Sequence, residues 1–136
     1  MNTLPTVVLI GRMNVGKSTL FNRISKKERA LTLDYEGVTR DFLRETVAWH
    51  GVPFNIVDTG GISLKKVSDP IMESVRQKAL QLVQEADVAL FMVDGSCPLT
   101  LAEKDLAHWL HKNGRPVIVV INKTDIKQAQ EFIPEY

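Results

Sequence analysis

Cysteine is almost absent from this sequence, and so are long hydrophobic runs and any excess of charge of one sign. The single cysteine, Cys97, cannot form an internal disulfide and has no metal-ligand spacing around it, so we interpret it as a packed thiol in a reducing compartment. The longest apolar runs, such as residues 117–121, are far shorter than the roughly 20 residues of a membrane span. No basic-then-apolar signal pattern starts the chain. These absences predict a cytoplasmic protein with no membrane partner.

The balance of charges also restricts the class of protein. A formal net charge of +1 provides no broad basic field for nucleic acid. Hydrophobic residues at 44% and charged residues at 24% are the usage of an ordinary soluble globular protein. A chain of 136 residues can bury a core without disulfides or structural metal. We therefore expect one domain that spans residues 1–136.

Apolar strands alternate with amphipathic helices along the chain. Strands are predicted at residues 6–10, 88–93 and 117–121, and helices from Lys17 onward and at residues 71–83 and 101–110. A hairpin is predicted in which residues 43–49 and 54–58 flank His50 and Gly51, while residues 30–41 and 59–70 are irregular connections. This alternation predicts a three-layer α/β fold, with helices covering a mostly parallel sheet that has one antiparallel hairpin strand.

The clearest motif is a glycine loop at residues 11–18, between the first predicted strand and the first predicted helix. Gly11 and Gly16, followed by Lys17 and Ser18, have the spacing of a phosphate-binding loop. Glycines let the backbone wrap around phosphate oxygens, and amide N–H groups at the helix N-terminus add partial positive charge. Lys17 adds a full charge, and the Ser18 hydroxyl is expected to bind Mg²⁺. The predicted nucleotide contacts of this segment are Gly11, Asn14, Val15, Gly16, Lys17, Ser18 and Thr19.

A second motif follows the most apolar strand, at residues 122–125. The Asp125 carboxylate can accept two hydrogen bonds from the N1–H and the 2-amino group of guanine. Adenine has an acceptor at N1 and no 2-amino group, so the same carboxylate would be desolvated without partners, which favours guanine nucleotides. Asn122 is expected to brace the phosphate loop, and the stem of Lys123 to lie over the purine face. On its own, this tetrapeptide is equally compatible with a polar turn after a strand.

A third motif, Asp58 to Gly61, ends the hairpin and predicts the metal and γ-phosphate contacts. We expect Asp58 to hold a water of Mg²⁺ and the Gly61 N–H to meet a γ-phosphate oxygen. Thr39, in the irregular segment before the hairpin, is the candidate that closes over Mg²⁺ when the third phosphate is present. Both segments would lose these anchors on hydrolysis, which is the physical basis of a switch.

Taken together, these motifs resemble the EngA/Der family of ribosome-assembly GTPases, specifically the first of that family's two GTPase domains. The resemblance rests on residues 14–22, 37–41 and 58–62 and extends from about residue 7 to residue 125. It implies a P-loop NTPase fold of the Ras-like GTPase type, with GTP or GDP and Mg²⁺ as cofactors. It also implies that the full-length protein has a role in assembly of the large ribosomal subunit, with the ribosome or large-subunit rRNA as its partner.

The sequence departs from the family pattern in two ways. Met13 stands where the family usually has proline, which loosens the loop without removing a ligand. The family also carries a later loop that contacts the guanine carbonyl, and then a last helix, and neither follows residue 125 here. The resemblance therefore implies a C-terminally truncated domain whose sheet exposes apolar surface, and we expect self-association.

Hydrolysis is expected to be slow, because many GTPases orient the attacking water with a glutamine where this chain has Ile62. In related GTPases with a hydrophobic residue there, a potassium ion held partly by the phosphate-loop asparagine supplies positive charge. The resemblance thus implies that Asn14 is a ligand of K⁺. The alternative is that Asn14 only braces the loop. The residues expected to contribute to hydrolysis are Lys17, Thr39, Gly61 and Asn14.

Two other functions fit the motifs less fully. One is a nucleotide-dependent binding module with negligible turnover. The other is a P-loop kinase of small substrates, which would leave Asn122 and Asp125 unexplained. His108 and His111 share a helical face and could bind a metal, although histidines without a third ligand are usually solvated. His50 is most simply a turn residue of the hairpin.

Overall fold

The computed structural model describes residues 4–28, 42–60, 64–113 and 116–125. In chain order the elements are β1 (Thr6–Ile10), α1 (Lys17–Glu28), β2 (Leu43–Trp49), β3 (Val52–Asp58), α2 (Pro70–Glu85), β4 (Val88–Asp94), α3 (Leu101–Lys112) and β5 (Val117–Asn122). The five strands of this described part of the chain form one sheet with the order β2-β3-β1-β4-β5.

The sheet is parallel apart from one hairpin. β1 lies at its centre and runs parallel to both neighbours, β3 and β4, and β5 runs parallel to β4. β2 is antiparallel to β3. The predicted mixture of parallel strands and one antiparallel hairpin strand is therefore confirmed. Because the four parallel strands end at the same edge, the segments that follow them are brought together there.

Helices cover both faces of the sheet. Val8, Leu9 and Ile10 of β1 are fully buried, since alternate residues of a strand point to opposite faces. Leu9 packs in a cluster that includes Phe21 of α1. Val8 and Ile10 pack in a second cluster, on the other face, with side chains of α2 and α3. The predicted three-layer arrangement is confirmed. Packing of α1 against the sheet positions the glycine loop that precedes this helix.

Local capping sets where the helices begin. Asp69 caps α2 by accepting a hydrogen bond from the Ile71 N–H at 2.9 Å, and Pro70 occupies the first turn. Thr100 and Glu103 form a capping box at the start of α3, with each side chain accepting from the other's backbone N–H. Asn113 is the C-cap of α3.

Candidate nucleotide site

A cleft of about 710 Å³ lies at the edge of the sheet where the parallel strands end. Binding sites for small molecules have volumes of about 300–1,000 Å³. Residues from all three sequence motifs line this cleft, together with Met72 of α2: Met13, Asn14, Gly16, Lys17, Ser18, Thr19, Asp58, Gly60, Asn122 and Lys123. The fold thus joins segments that are far apart in the sequence into one concave surface.

The glycine loop between β1 and α1 depends on a tight backbone path. Gly11 has φ +150°, and a Cβ atom there would lie 2.4 Å from the Met92 carbonyl oxygen, so no other residue fits without a shift of β4. Asn14 adopts the left-handed region with φ 66°, which asparagine tolerates better than most residues. Val15 is fully buried beneath the loop. Gly11 and Val15 therefore contribute backbone groups and packing, while the side chains around them line the cleft.

Lys17 is held inside the loop that it follows. Its ammonium donates to the Gly11 carbonyl at 2.8 Å and to the Arg12 carbonyl at 2.7 Å. Burial lowers the pKa of Lys17, and the neighbouring Asp58 carboxylate opposes that shift. The loop's own carbonyls thus satisfy the ammonium and keep the positive charge at the floor of the cleft.

Ser18 and Asp58 meet across the cleft, as the metal prediction requires. The Ser18 hydroxyl donates to Asp58 Oδ2 at 3.1 Å, and Asp58 Oδ1 accepts from the Gly60 N–H at 2.9 Å. A hydroxyl and a carboxylate are oxygen ligands of the kind that Mg²⁺ prefers, and Mg²⁺ is usually bound by one or two carboxylates together with substrate phosphates. The described residues contain no group of three or more His, Cys, Asp or Glu side chains placed for a metal. This donor pair therefore fits Mg²⁺ bound jointly with phosphate.

The segment after β5 is fastened to the glycine loop. The Asn122 side-chain amide donates to the Val15 carbonyl at 2.8 Å. The Lys123 ammonium donates to the Asn14 carbonyl at 3.0 Å, and its backbone adopts φ 62°. Asp125 is exposed to solvent beyond these contacts. Asn122 lies where the bracing prediction requires it, and the Asp125 carboxylate is accessible to a base.

The sequence motifs missed an acidic residue of this site, Asp94 at the end of β4. Its carboxylate accepts from the Lys123 ammonium at 3.1 Å and from the Ser96 N–H at 2.8 Å. Burial alone would raise the pKa of Asp94, but the hydrogen bonds from Ser96 and Lys123 outweigh it and lower that pKa to about 2. The signal that could have found it is position, because Asp94 ends a parallel strand as Asp58 and Asn122 do.

Thr39 and Gly61, and Ile62 after them, lie outside the described residues. His108 and His111 are exposed on α3, and no metal-binding cluster of the described chain includes them. Thr19 is exposed on the first turn of α1, where it lines the cleft. None of the described helices is both long enough and apolar enough to cross a membrane.

Comparison with known proteins places the chain among relatives of similar sequence and fold. Residues 6–123 match a family model described as 50S ribosome-binding GTPase. GTPase Der of Thermotoga neapolitana is 43% identical over 97% of this chain, which spans 30% of the length of that relative. A crystal structure of a variant of Aquifex aeolicus Era bound to GDP·AlF4⁻ is 32% identical, with a TM-score of 0.74 over 96% of this chain and 45% of that one. A structure of Era with MgGDPNP and nucleotides 1506–1542 of 16S ribosomal RNA is 31% identical, with a TM-score of 0.75 over 98% of this chain and 45% of that one.

Proposed function

Since this chain belongs to the 50S ribosome-binding GTPase family, we propose that it binds GTP and GDP and hydrolyses GTP as the switch domain of a Der-like protein. The resemblance to the EngA/Der GTPases is confirmed by the 43% sequence identity with GTPase Der of Thermotoga neapolitana. One observation carries the proposal for this chain. The Asn122 amide, at the start of the predicted guanine motif, is hydrogen-bonded to the phosphate loop at Val15, so both halves of a nucleotide site lie at one sheet edge.

In the proposed complex the two ends of the nucleotide are bound by different groups. Backbone N–H groups of the glycine loop and the Lys17 ammonium would hold the phosphates. Ser18 and Asp58 would hold Mg²⁺, which neutralises phosphate charge when it is bound. The Asp125 carboxylate would accept hydrogen bonds from the N1–H and the 2-amino group of guanine. Thr39 and Gly61 keep the roles predicted from the sequence, at the metal and at the γ-phosphate.

Titration with fluorescent GTP, GDP and ATP tests this proposal. We expect GTP and GDP to bind at least about 10²-fold more tightly than ATP, because adenine leaves the Asp125 carboxylate desolvated and unpaired. Lack of binding to GTP and GDP at millimolar concentration would contradict the proposal.

The second candidate, a nucleotide-dependent binding module with negligible turnover, is favoured by Ile62, which cannot orient water. Bound GTP without phosphate release would support that candidate.

Potassium is expected to accelerate hydrolysis through Asn14, whose side chain is exposed at the rim of the cleft. The ion would replace part of the contribution of an arginine finger, which is roughly 10³–10⁵ in rate. We expect phosphate release at least about tenfold faster in potassium than in sodium buffer, which is a small part of that range. Asn14→Ala should remove the difference between the two buffers. Equal rates in the two buffers would rule the hypothesis out.

The ribosome is the proposed partner of a full-length Der-like protein that contains a domain of this kind. The family description and the rRNA-bound Era neighbour support an RNA partner. The chain itself has a formal net charge of only +1, so we expect the ribosome contacts to lie mainly in the rest of that protein. Co-sedimentation of the chain and of a full-length relative with large ribosomal subunits checks this. A cytoplasmic location, and one domain over residues 1–136, remain predictions.

Self-association through β5 is expected at high concentration. In the described part of the chain β5 pairs on one side only, with β4, and its Ile118 and Val119 side chains are 54% and 52% exposed. Unpaired apolar edge strands favour pairing with another chain. Ile118→Lys should shift the sedimentation profile towards monomer, whereas Val52→Lys, at an exposed apolar position in the hairpin, should not. A wild-type chain that remains monomeric at high concentration would contradict this expectation.

A further inference from the structure

Arg12 of the glycine loop faces a set of groups that the nucleotide contacts do not use. Its Nη2 donates to Cys97 Sγ at 2.9 Å and lies 3.9 Å from Asp94 Oδ2. Its Nε lies 3.4 Å from Glu103 Oε1, on the first turn of α3, in an ion pair without a hydrogen bond. The guanidinium therefore joins the phosphate loop to β4 and to α3.

Glu103 is an unusual carboxylate for a capping position, because its residue is only 3% exposed. Oε1 accepts from the Thr100 N–H at 2.9 Å, which completes the capping box. Among the described residues, Oε2 has no hydrogen-bond partner. Burial of a carboxylate is strongly unfavourable unless a cation compensates, and Arg12 provides that compensation. A helix cap alone does not need a buried charge, since a neutral side-chain oxygen can accept the same bond.

The other partner of Arg12 connects this pair to the guanine motif. Asp94 Oδ2 is 3.9 Å from Arg12 Nη2 and 3.1 Å from Lys123 Nζ. Lys123 Nζ in turn donates to the Asn14 carbonyl, two residues beyond Arg12 in the glycine loop. The contacts therefore form a closed circuit from the phosphate loop, through the end of β4, to the guanine motif and back, and Glu103 of α3 joins this circuit through Arg12.

We infer that Glu103 is a positioning residue for nucleotide binding, which acts through Arg12 to hold the phosphate loop at a fixed distance from the guanine motif. The inference rests on the proposed function. Phosphates and base would be bound by separate loops, so a ligand that engages both gains affinity when their spacing is set in advance. A ligand with fewer phosphate groups makes fewer contacts with the phosphate loop, so its affinity depends less on that spacing.

Glu103→Gln tests this role with little change of shape. Glutamine Oε1 can still accept the Thr100 N–H, so the helix cap is retained, while the charge that holds Arg12 is lost. We expect the Kd for GDP to rise by about two- to thirty-fold, the range of energies typical of residues that couple sites without touching ligand. The Kd for GMP, which lacks the β-phosphate, should rise by a smaller factor. A loss of folded protein alone would raise both Kd values by the same factor.

Three further variants complete the design: Asp105→Asn, Arg12→Gln, and the double variant Arg12→Gln with Glu103→Gln. Asp105→Asn makes the same chemical change at an exposed position of α3 and should leave both Kd values unchanged. The double variant Arg12→Gln with Glu103→Gln leaves no buried charge at this contact, and its loss of GDP affinity should be smaller than the sum of the two single losses. A Kd for GDP equal to that of the wild type in Glu103→Gln or in the double variant would overturn the inference, as would equal factors for GDP and GMP. If the wild-type chain itself does not bind GDP, that result contradicts the proposed function, whereas the outcomes above concern the role of Glu103.

Discussion

Gly16→Ala is expected to abolish measurable nucleotide binding. Gly16 has φ +110°, a conformation that residues with a side chain rarely adopt, and such strain costs about 1–3 kcal/mol. A Cβ atom at this position would also lie 2.2 Å from Asn122 Nδ2. Asn122 would have to move, which breaks its hydrogen bond to the Val15 carbonyl. One methyl group would thus displace the phosphate loop and the guanine motif together, and we expect the Kd for GDP to rise by at least about 10³-fold, since each 1.4 kcal/mol is tenfold.

The matched control is Gly51→Ala in the hairpin turn. Gly51 also has a positive φ, +80°, but a Cβ atom there would meet nothing within 4 Å. This variant should lower the melting temperature because of backbone strain, while its Kd for GDP stays at the wild-type value. Isothermal titration with GDP and a thermal melt on each variant separate the two effects. Binding by Gly16→Ala at wild-type affinity would contradict the close packing of Gly16 against Asn122.

Much of the fold follows from the sequence, because its signals are local. The apolar run of β1 is short and bounded by a glycine, so its strand is evident before its partners are known. Gly11, Gly16, Lys17 and Ser18 are neighbours in the chain, and their spacing alone indicates a phosphate loop. The hairpin around His50 and Gly51 likewise depends only on alternation and a two-residue turn, and β2 and β3 pair there as predicted.

The contacts among Arg12, Asp94 and Glu103 could not be predicted in the same way. Each of these residues belongs to a different element, and their proximity depends on how β4 and α3 pack beside the glycine loop. A charged residue on the first turn of a helix is ordinarily a solvated cap, so Glu103 gives no sign in the sequence that it is buried. The burial arises from tertiary packing, and only the folded chain reveals it. The roles of Thr39 and Gly61, which lie outside the described residues, stay predictions.

Asp125→Asn should exchange the base preference of the site. The side-chain carboxylate is predicted to accept from the N1–H and the 2-amino group of guanine, and an amide can accept only one of these bonds while its NH₂ faces the amino group. Sites built around a substrate's hydrogen-bonding groups reject mismatched analogues by about 10⁴–10⁵-fold. Because Asp125 is exposed to water, the free-energy cost of the mismatch is smaller here, and we expect the affinity for GDP to fall by at least about 10³-fold. Xanthine carries a carbonyl in place of the 2-amino group, so the asparagine can donate to it and accept from N1–H.

Competition between GDP and xanthosine diphosphate for a fluorescent nucleotide measures the exchange. Wild-type chain should prefer GDP, and Asp125→Asn should prefer xanthosine diphosphate, while Asp105→Asn should behave as wild type because it alters an exposed carboxylate on α3. The phosphate contacts are the same for the two ligands, so any change of preference must arise at the base. Retention of the GDP preference by Asp125→Asn would remove this residue from base recognition, even if the glycine loop still binds phosphate. A reversed preference would instead establish that the exposed carboxylate after β5 reads the hydrogen-bond donors of guanine.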